Sequence, residues 1–362
     1  MRILHVINSL EMGGAEKLVL HSVPRYNAAG ISAEVLLLKR TNSTLYTALK
    51  ESGCRIFDLG TSSVYNPMHI FRLKKFLKQY DLVHVHLFPG LYWAAMAKYL
   101  VSGSPGLIYT EHNTTNRRRD HFLLKRLDRW VYKRFDKLVT ISDDVDRQLK
   151  AHLKGRSDSD FIRIPNGIDL NEIDKATPYD RNEFSKDVTE RLLLQVASFT
   201  EQKDQETLIK AVAQCETPVR LLLVGVGEKV EACKNLASEL GILDRVEFLR
   251  VRDDVPRLLK TVDAVVLSTH FEGLSLSCLE GMASGKPFIA SAAPGLSTIV
   301  EGHGLLFPIG DATTLARLLD RVLTDEELAR ETADNCKARA EEFSIENTVD
   351  AHLKLYKSIC KD

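Results

Sequence analysis

The chain has 362 residues, 44% apolar and 27% charged, the proportions of a globular protein, which exclude a disordered, collagenous or coiled-coil chain. Its length suits two cores of ordinary size. The 49 basic and 49 acidic side chains cancel, which argues against a protein held on nucleic acid by a general basic excess.

Six cysteines, at 54, 215, 233, 278, 336 and 360, form no Cys-x-x-Cys pair and no set with His at zinc-ligand spacing. No metal centre and no disulfide framework is therefore expected, and a reducing cytoplasm is the simplest setting. Met1 and Arg2 lead directly into a strand-like run with no apolar leader after it. The longest apolar stretch, 91–101, contains Lys98 and is about half a membrane span, so any membrane contact is expected to be peripheral.

Short β-branched or Leu-rich runs alternate with longer amphipathic ones, the pattern of βαβ units around a parallel sheet. Strands are expected at 3–7, 32–38, 82–86, 106–109, 137–141 and 161–164. After the first of them, Gly13 and Gly14 open a helix that carries Glu16. Glycines there admit a ligand to the backbone, and the N–H groups of a helix start attract an anion such as a diphosphate. The spacing Gly-x-Gly-x-x-Gly is absent, which counts against a dinucleotide fingerprint. His84 and His86, on the 82–86 strand, are read as facing opposite sides of the sheet and unable to share a metal, with one reaching the ligand-binding edge.

Further along, Arg72, Lys74, Lys75 and Lys78 precede a second basic segment, 117–137, whose Leu123, Leu124, Leu127, Trp130 and Val131 form an apolar face. It reads as a basic amphipathic helix, suited to an anionic membrane surface or to packing on its own sheet. Asp144-Val145-Asp146 and Asp158-Ser159-Asp160 are read as solvated or capping carboxylates rather than metal ligands.

The polar stretch 171–190, with Pro178, is the linker candidate. A second strand series follows at 192–197, 219–224, 246–249, 264–267, 288–290 and 304–307, so two doubly wound units are expected. The tail is helical, and 345–360 places Val349, Leu353, Tyr356 and Ile359 on one face. Split at residue 178, the neutral total separates into 27 basic and 18 acidic residues before and 22 and 31 after, a +9 half and a −9 half.

In the second half, Glu272 stands in a loop at the carboxyl end of a strand, where open α/β sheets bind ligands. A helix is expected at 276–283, and the amides of Ser275 and Leu276 at its start point toward a phosphate. Glu280, two turns in, suits the paired hydroxyls of a ribose.

Glu272 and Glu280 thus form Glu-x7-Glu within Phe271-Glu272-Gly273-Leu274-Ser275-Leu276-Ser277-Cys278-Leu279-Glu280-Gly281. This segment resembles the signature of the family-4 retaining glycosyltransferases of GT-B fold. The similarity extends over most of the chain through Gly13-Gly14-Ala15-Glu16, Val83-His84-Val85-His86, Thr110-Glu111-His112, Pro165-Asn166-Gly167-Ile168-Asp169, Glu201-Gln202-Lys203 and Asp253-Asp254-Val255-Pro256. The resemblance implies two facing Rossmann-like doubly wound domains: 1–170 for the acceptor, 191–344 for the nucleotide sugar, and 345–362 as a helix crossing back to the first. By the same resemblance Glu280 binds the ribose, Glu272 lies at the transferred sugar, and Lys203 neutralises the departing diphosphate. Gly14 touches the phosphate, and His112 faces the reaction centre, with Gly13 and His86 on the acceptor side.

Ala197 and Ser198 stand where the family commonly has Gly-Arg, and Arg252 or Arg250 is the candidate replacement cation. Ser275 replaces a family glycine. The implied activity is metal-independent hexosyl transfer, with a UDP- or GDP-linked sugar as co-substrate and no cofactor. The acceptor would be a saccharide or a polyprenyl-diphosphate-linked saccharide of cell-surface polysaccharide synthesis, met at the cytoplasmic face of the membrane; no nucleic acid is expected. The alternatives are a UDP-sugar 2-epimerase of the same fold and a non-catalytic nucleotide-sugar-binding scaffold.

Overall fold

The structure, a computed structural model, describes residues 1–11, 13–101, 105–112 and 122–360; Arg117, Arg118 and Arg119 of the basic segment lie outside them. The chain divides into two compact units, one made of Met1–Gly167 with Ile345–Asp362 and the other of Ile168–Ser344.

The first unit is built on seven parallel strands: β1 (Arg2–Ile7), β2 (Ser32–Lys39), β3 (Ile56–Thr61), β4 (Leu82–His86), β5 (Gly106–Glu111), β6 (Lys137–Thr140) and β7 (Phe161–Arg163). They lie in the order β3-β2-β1-β4-β5-β6-β7. A parallel strand covered on both faces must be apolar nearly throughout, which is why β1, β2 and β4 stand out in the sequence. Strand β3 carries no clear strand pattern because it is an edge strand: Asp58 and Gly60 interrupt its apolar run, and only Leu59 and Thr61 are buried. On one face of the sheet Val6, Leu36, Val83, Val85 and Leu107 pack beneath the helices His69–Leu77, Gly90–Tyr99 and Phe122–Tyr132. On the other, Ile3, Ile7, Val35 and Ile108 pack beneath Gly14–Ala28 and the C-terminal helix Ile345–Ile359. That last helix buries Val349 and Tyr356 and half-buries Leu353 and Ile359, each fully buried side chain stabilising the unit by roughly 2 kcal/mol.

The second unit has six parallel strands: β8 (Arg191–Val196), β9 (Val219–Val224), β10 (Val246–Phe248), β11 (Ala264–Leu267), β12 (Phe288–Ser291) and β13 (Leu305–Phe307), in the order β10-β9-β8-β11-β12-β13. The stretch 171–190 is not a free linker but part of this unit. Ile173 is buried, the Tyr179 amide donates to Thr261 Oγ1 at 2.8 Å, and Arg181 forks onto Asp263 at 2.9 and 3.1 Å. Isolated apolar anchors and charge-assisted hydrogen bonds hold it down, and these leave no periodic pattern to read. The boundary falls after Gly167 instead.

Both sheets reverse direction of growth once, between β1 and β4 and between β8 and β11. Such a switch point opens a crevice at the carboxyl ends of the strands. Among the described residues no helix is long and apolar enough to cross a membrane, and all six cysteines are free.

Candidate active site

At the switch point of the second unit, β8 runs on to the 3-10 turn Glu201–Lys203, and β11 runs on to the helix Leu276–Ala283. The two loops are tied together. Buried Gln195 donates from Nε2 to the carbonyls of Ser268 (3.3 Å) and Lys203 (3.1 Å), and Ser268 Oγ donates to Gln195 Oε1 at 3.0 Å. The His270 amide donates to the Gln202 carbonyl at 2.8 Å, and Gln202 Nε2 donates to the Phe271 carbonyl at 2.6 Å. This framework brings Lys203 Nζ to 2.5 Å from Glu272 Oε1, with the side chains only 15% and 7% exposed. The Glu272 amide donates to the Pro294 carbonyl at 3.0 Å. Gly295, at φ +80°, lets the loop after β12 press on Glu272: a Cβ there would collide with the Glu272 carbonyl oxygen.

Ser275 is the N-cap of the helix Leu276–Ala283, but its side chain does not cap; Oγ lies 3.2 Å from Ser277 Oγ. The first-turn amides have no intrahelical acceptor and carry the positive end of the helix dipole. Glu280 is half-buried on this helix, eight residues after Glu272. The described contacts do not bring Arg252 to the Lys203–Glu272 pair. Arg252 forks onto the Asp254 carboxylate at 2.7 and 2.5 Å and reaches Tyr179 Oη at 3.0 Å, and its guanidinium holds the Asp254 carboxyl down to about 2. Arg250 sits at φ +55°, and its carbonyl accepts from the Gly225 amide at 2.7 Å. Beside the Lys203 turn lies a cavity of about 160 Å³ lined by Glu201, Asp204, Glu206 and Lys229, with His270 and Cys233; its three carboxylates make it a poor seat for a diphosphate.

In the first unit, Gly13 is the extended N-cap of Gly14–Ala28, next to the switch point. Glu16 in the first turn folds back over Gly13, and burial pushes its carboxyl up to about 7. His86 ends β4 and His112 follows β5. They meet, Nδ1 of His86 lying 3.4 Å from Nε2 of His112.

His84 and His86 do not face opposite sides. Residues two apart on a strand share a face, and their rings stack at 4.3 Å between centroids. His5, paired with His84 in register across β1 and β4, joins them. The three offer nitrogen atoms within 4.8 Å of one another, a spacing compatible with a shared ion. All of their nitrogens but Nε2 of His5 are already engaged: His84 with Tyr356 Oη (2.7 Å) and Thr110 Oγ1 (2.6 Å), His86 with His112 and with His5 Nδ1 (3.1 Å). His352 of the C-terminal helix adds a fifth imidazole, its Nδ1 3.0 Å from Tyr26 Oη. Burial, the leading cause throughout, holds His5 and His352 down to about 3 and His112 to about 4, and drives His84 and His86 well below the usual imidazole range.

Gln195, Gln202, Gly295 and His5 were not singled out from the sequence. Gln195 had a signal, a lone amide in the run Leu192-Leu193-Leu194-Gln195-Val196; a buried amide must find partners. The second unit therefore offers a lysine, a carboxylate and a helix N-terminus at one sheet edge. A lysine and helix amides stabilise a departing anion, while the carboxylate orients hydroxyls.

Known families match both parts of the chain. Residues 12–172 match the model described as Glycosyltransferase Family 4, and residues 177–342 match the model of Glycosyl transferases group 1. An N-acetyl-alpha-D-glucosaminyl L-malate synthase of Bacillus anthracis is 27% identical over 78% of this chain and 76% of its own length. A UDP-Gal:alpha-D-GlcNAc-diphosphoundecaprenol alpha-1,3-galactosyltransferase of Escherichia coli is 26% identical over 79% and 78%. The crystal structure of Anabaena HepE in complex with UDP-glucose superposes with a TM-score of 0.86, covering 99% of this chain and 100% of that one at 23% identity.

Proposed function

This chain belongs to the family-4 glycosyltransferases of GT-B fold, and from that premise we propose that it moves a hexosyl group, with retention, from a UDP- or GDP-linked sugar to a saccharide or polyprenyl-diphosphate-linked acceptor. The observation that carries this reading is the Lys203–Glu272 pair beside the start of the helix Leu276–Ala283. The diphosphate seats against the first-turn amides, with Ser275 and Leu276 at its edge. Lys203 exchanges its carboxylate partner for the departing phosphate oxygen, and Glu272, released, orients the sugar hydroxyls. Glu280 holds the ribose.

The bond from the anomeric carbon to the phosphate oxygen breaks with its electron pair going to the diphosphate. The acceptor hydroxyl attacks from the same face, and its proton passes to the departing phosphate oxygen. Charge is met by lysine and amides, so the reaction needs no metal. The donor named in the Escherichia coli relative and the UDP-glucose held by HepE support a uridine diphosphate sugar, and the relative's diphosphoundecaprenol acceptor supports a lipid-linked one.

Lipid-linked acceptors lie at a membrane, and the first unit carries a surface suited to one. Phe71, Tyr99, Leu124 and Leu127 are exposed on the three helices of one sheet face, among Lys74, Lys75, Lys98, Arg126 and Arg129, and Arg134 stacks over Tyr99 and Trp130. Aromatic and basic side chains together favour an anionic interface, here the cytoplasmic face.

Transfer from a panel of nucleotide sugars, with product anomers read by NMR in buffer with and without chelator, tests the reading. Retention unaffected by chelator is expected. Inverted product refutes the mechanism, and a new sugar epimer formed without acceptor would place the chain among epimerases. Flotation with anionic vesicles tests the membrane surface; no binding at low salt refutes it.

A further inference from the structure

We propose that His5 and His86 are positioning residues that hold His112 with its proton on Nδ1, so that His112 meets its ligand as a hydrogen-bond donor. The three imidazoles form a file. Nε2 of His112 faces Nδ1 of His86 at 3.4 Å, and Nε2 of His86 faces Nδ1 of His5 at 3.1 Å. The file exists because β1, β4 and β5 are neighbours in the sheet and because His84 and His86 share a face with His5.

A neutral imidazole has one N–H and one lone pair. Burial keeps all three neutral at ordinary pH, so the file carries one polarity along its whole length. Either every proton sits on Nδ1, and donation runs outward from His5 through His86 to His112, or every proton sits on Nε2 and donation runs inward. The inner end decides between them. Nε2 of His5 is buried and, among the described residues, has no hydrogen-bond partner. Inward polarity would leave an N–H there with no acceptor, the rarer kind of orphan in folded proteins; outward polarity leaves a bare lone pair.

Neighbouring groups offer no escape. Both nitrogens of His84 are taken by Tyr356 and Thr110, and the Tyr26 hydroxyl is engaged with His352. With donation outward, Nε2 of His112 is occupied as an acceptor, and Nδ1–H is the group left for a ligand. On the reading that the family resemblance implies, in which His112 faces the reaction centre of a sugar transfer, that ligand atom is a sugar or acceptor oxygen met through its lone pair. His112 then orients the oxygen and does not act as a base toward it.

Nitrogen-15 NMR of the histidine-labelled full chain, free of substrate, separates nitrogen atoms that carry a proton from those that do not; His112→Asn identifies the His112 signals by their loss. The wild type is expected to show a protonated Nδ1 and a bare Nε2 at His112. In His5→Leu both tautomers of His112 should appear, with kcat for sugar transfer down about five- to tenfold, the worth of one neutral hydrogen bond, and donor KM unchanged. His5→Asn places an amide N–H where Nδ1 stands and is expected to restore the single tautomer and most of kcat. A bare Nδ1 in wild-type His112, or a single unchanged tautomer in His5→Leu, overturns the proposal, and the wild-type spectrum suffices if the leucine variant does not fold. The spectrum needs no substrate. Absence of any transfer activity would therefore overturn the functional reading while leaving the polarity of the file decided on its own.

Discussion

Lys203→Met removes the cation but keeps the length of the side chain, leaving the Glu272 carboxylate, 7% exposed, without the ammonium group 2.5 Å away. Removing one partner of a buried ion pair costs about 3–5 kcal/mol, and because Lys203 keeps 15% of its side chain in solvent the lower figure, about 3 kcal/mol, applies. In a unit of this size that lowers the melting temperature by roughly 6–12 °C. Adding Glu272→Gln replaces the stranded charge with a neutral amide, and the double variant is expected to recover about 2 kcal/mol of the loss. Catalysis should not recover with it. A unit charge about 4 Å from the departing phosphate oxygen is worth about 4 kcal/mol at an effective dielectric constant near 20, so kcat is expected to fall about a thousandfold in both variants. Calorimetric melts and initial rates with a UDP-hexose measure the two effects separately. A single variant that melts within about 1 °C of the wild type, with a double variant no more stable, refutes the coupling. A kcat within about threefold of wild type refutes the role of Lys203 at the departing group.

Glu280→Gln should weaken uridine diphosphate binding by roughly 10- to 100-fold, the value of hydrogen bonds to a charged acceptor; calorimetric titration reads it, and unaltered affinity removes Glu280 from the nucleotide site. Gly295→Ala forces a Cβ into the Glu272 carbonyl at a φ of +80°, and is expected to cost about 2 kcal/mol in urea denaturation and to depress kcat by displacing Glu272. Acid should destabilise the first unit early. The imidazoles of His5, His112 and His352 are held at about 3, 4 and 3, whereas in the unfolded chain they protonate near 6.5. Below that pH the unfolded state binds more protons, so stability falls as pH drops from about 6.5 toward the folded values, by up to about 1.4 kcal/mol per pH unit for each group. Urea midpoints followed from about pH 7.5 to 4.5 should be level above 7 and fall steeply below 6.5; a level profile down to about pH 5 would show that these rings titrate as if exposed.

Much of the architecture could be read from local pattern. Strands buried on both faces are apolar nearly throughout, so runs such as 35–38 in the first half and Ala264–Leu267 in the second declared two parallel sheets, and the helix Leu276–Ala283 with Glu272 before it and Glu280 on it lies within a few turns of chain. Strand β3 is hidden in the sequence because an edge strand needs apolar residues on one side only, and the stretch 171–190 reads as a linker because Arg181 and Tyr179 are held by hydrogen bonds rather than by periodic burial. The histidine file was least legible. His5, His86 and His112 stand on or just past three strands far apart in sequence, and the same buried cluster takes His352 from the C-terminal helix. Their meeting depends on β1 and β4 pairing across the switch point, and on the shared face of residues two apart on a strand. Local pattern encodes the strands, because burial acts on each run separately. Strand order, and with it which polar groups must satisfy one another, is set when the assembled sheet removes those groups from water together.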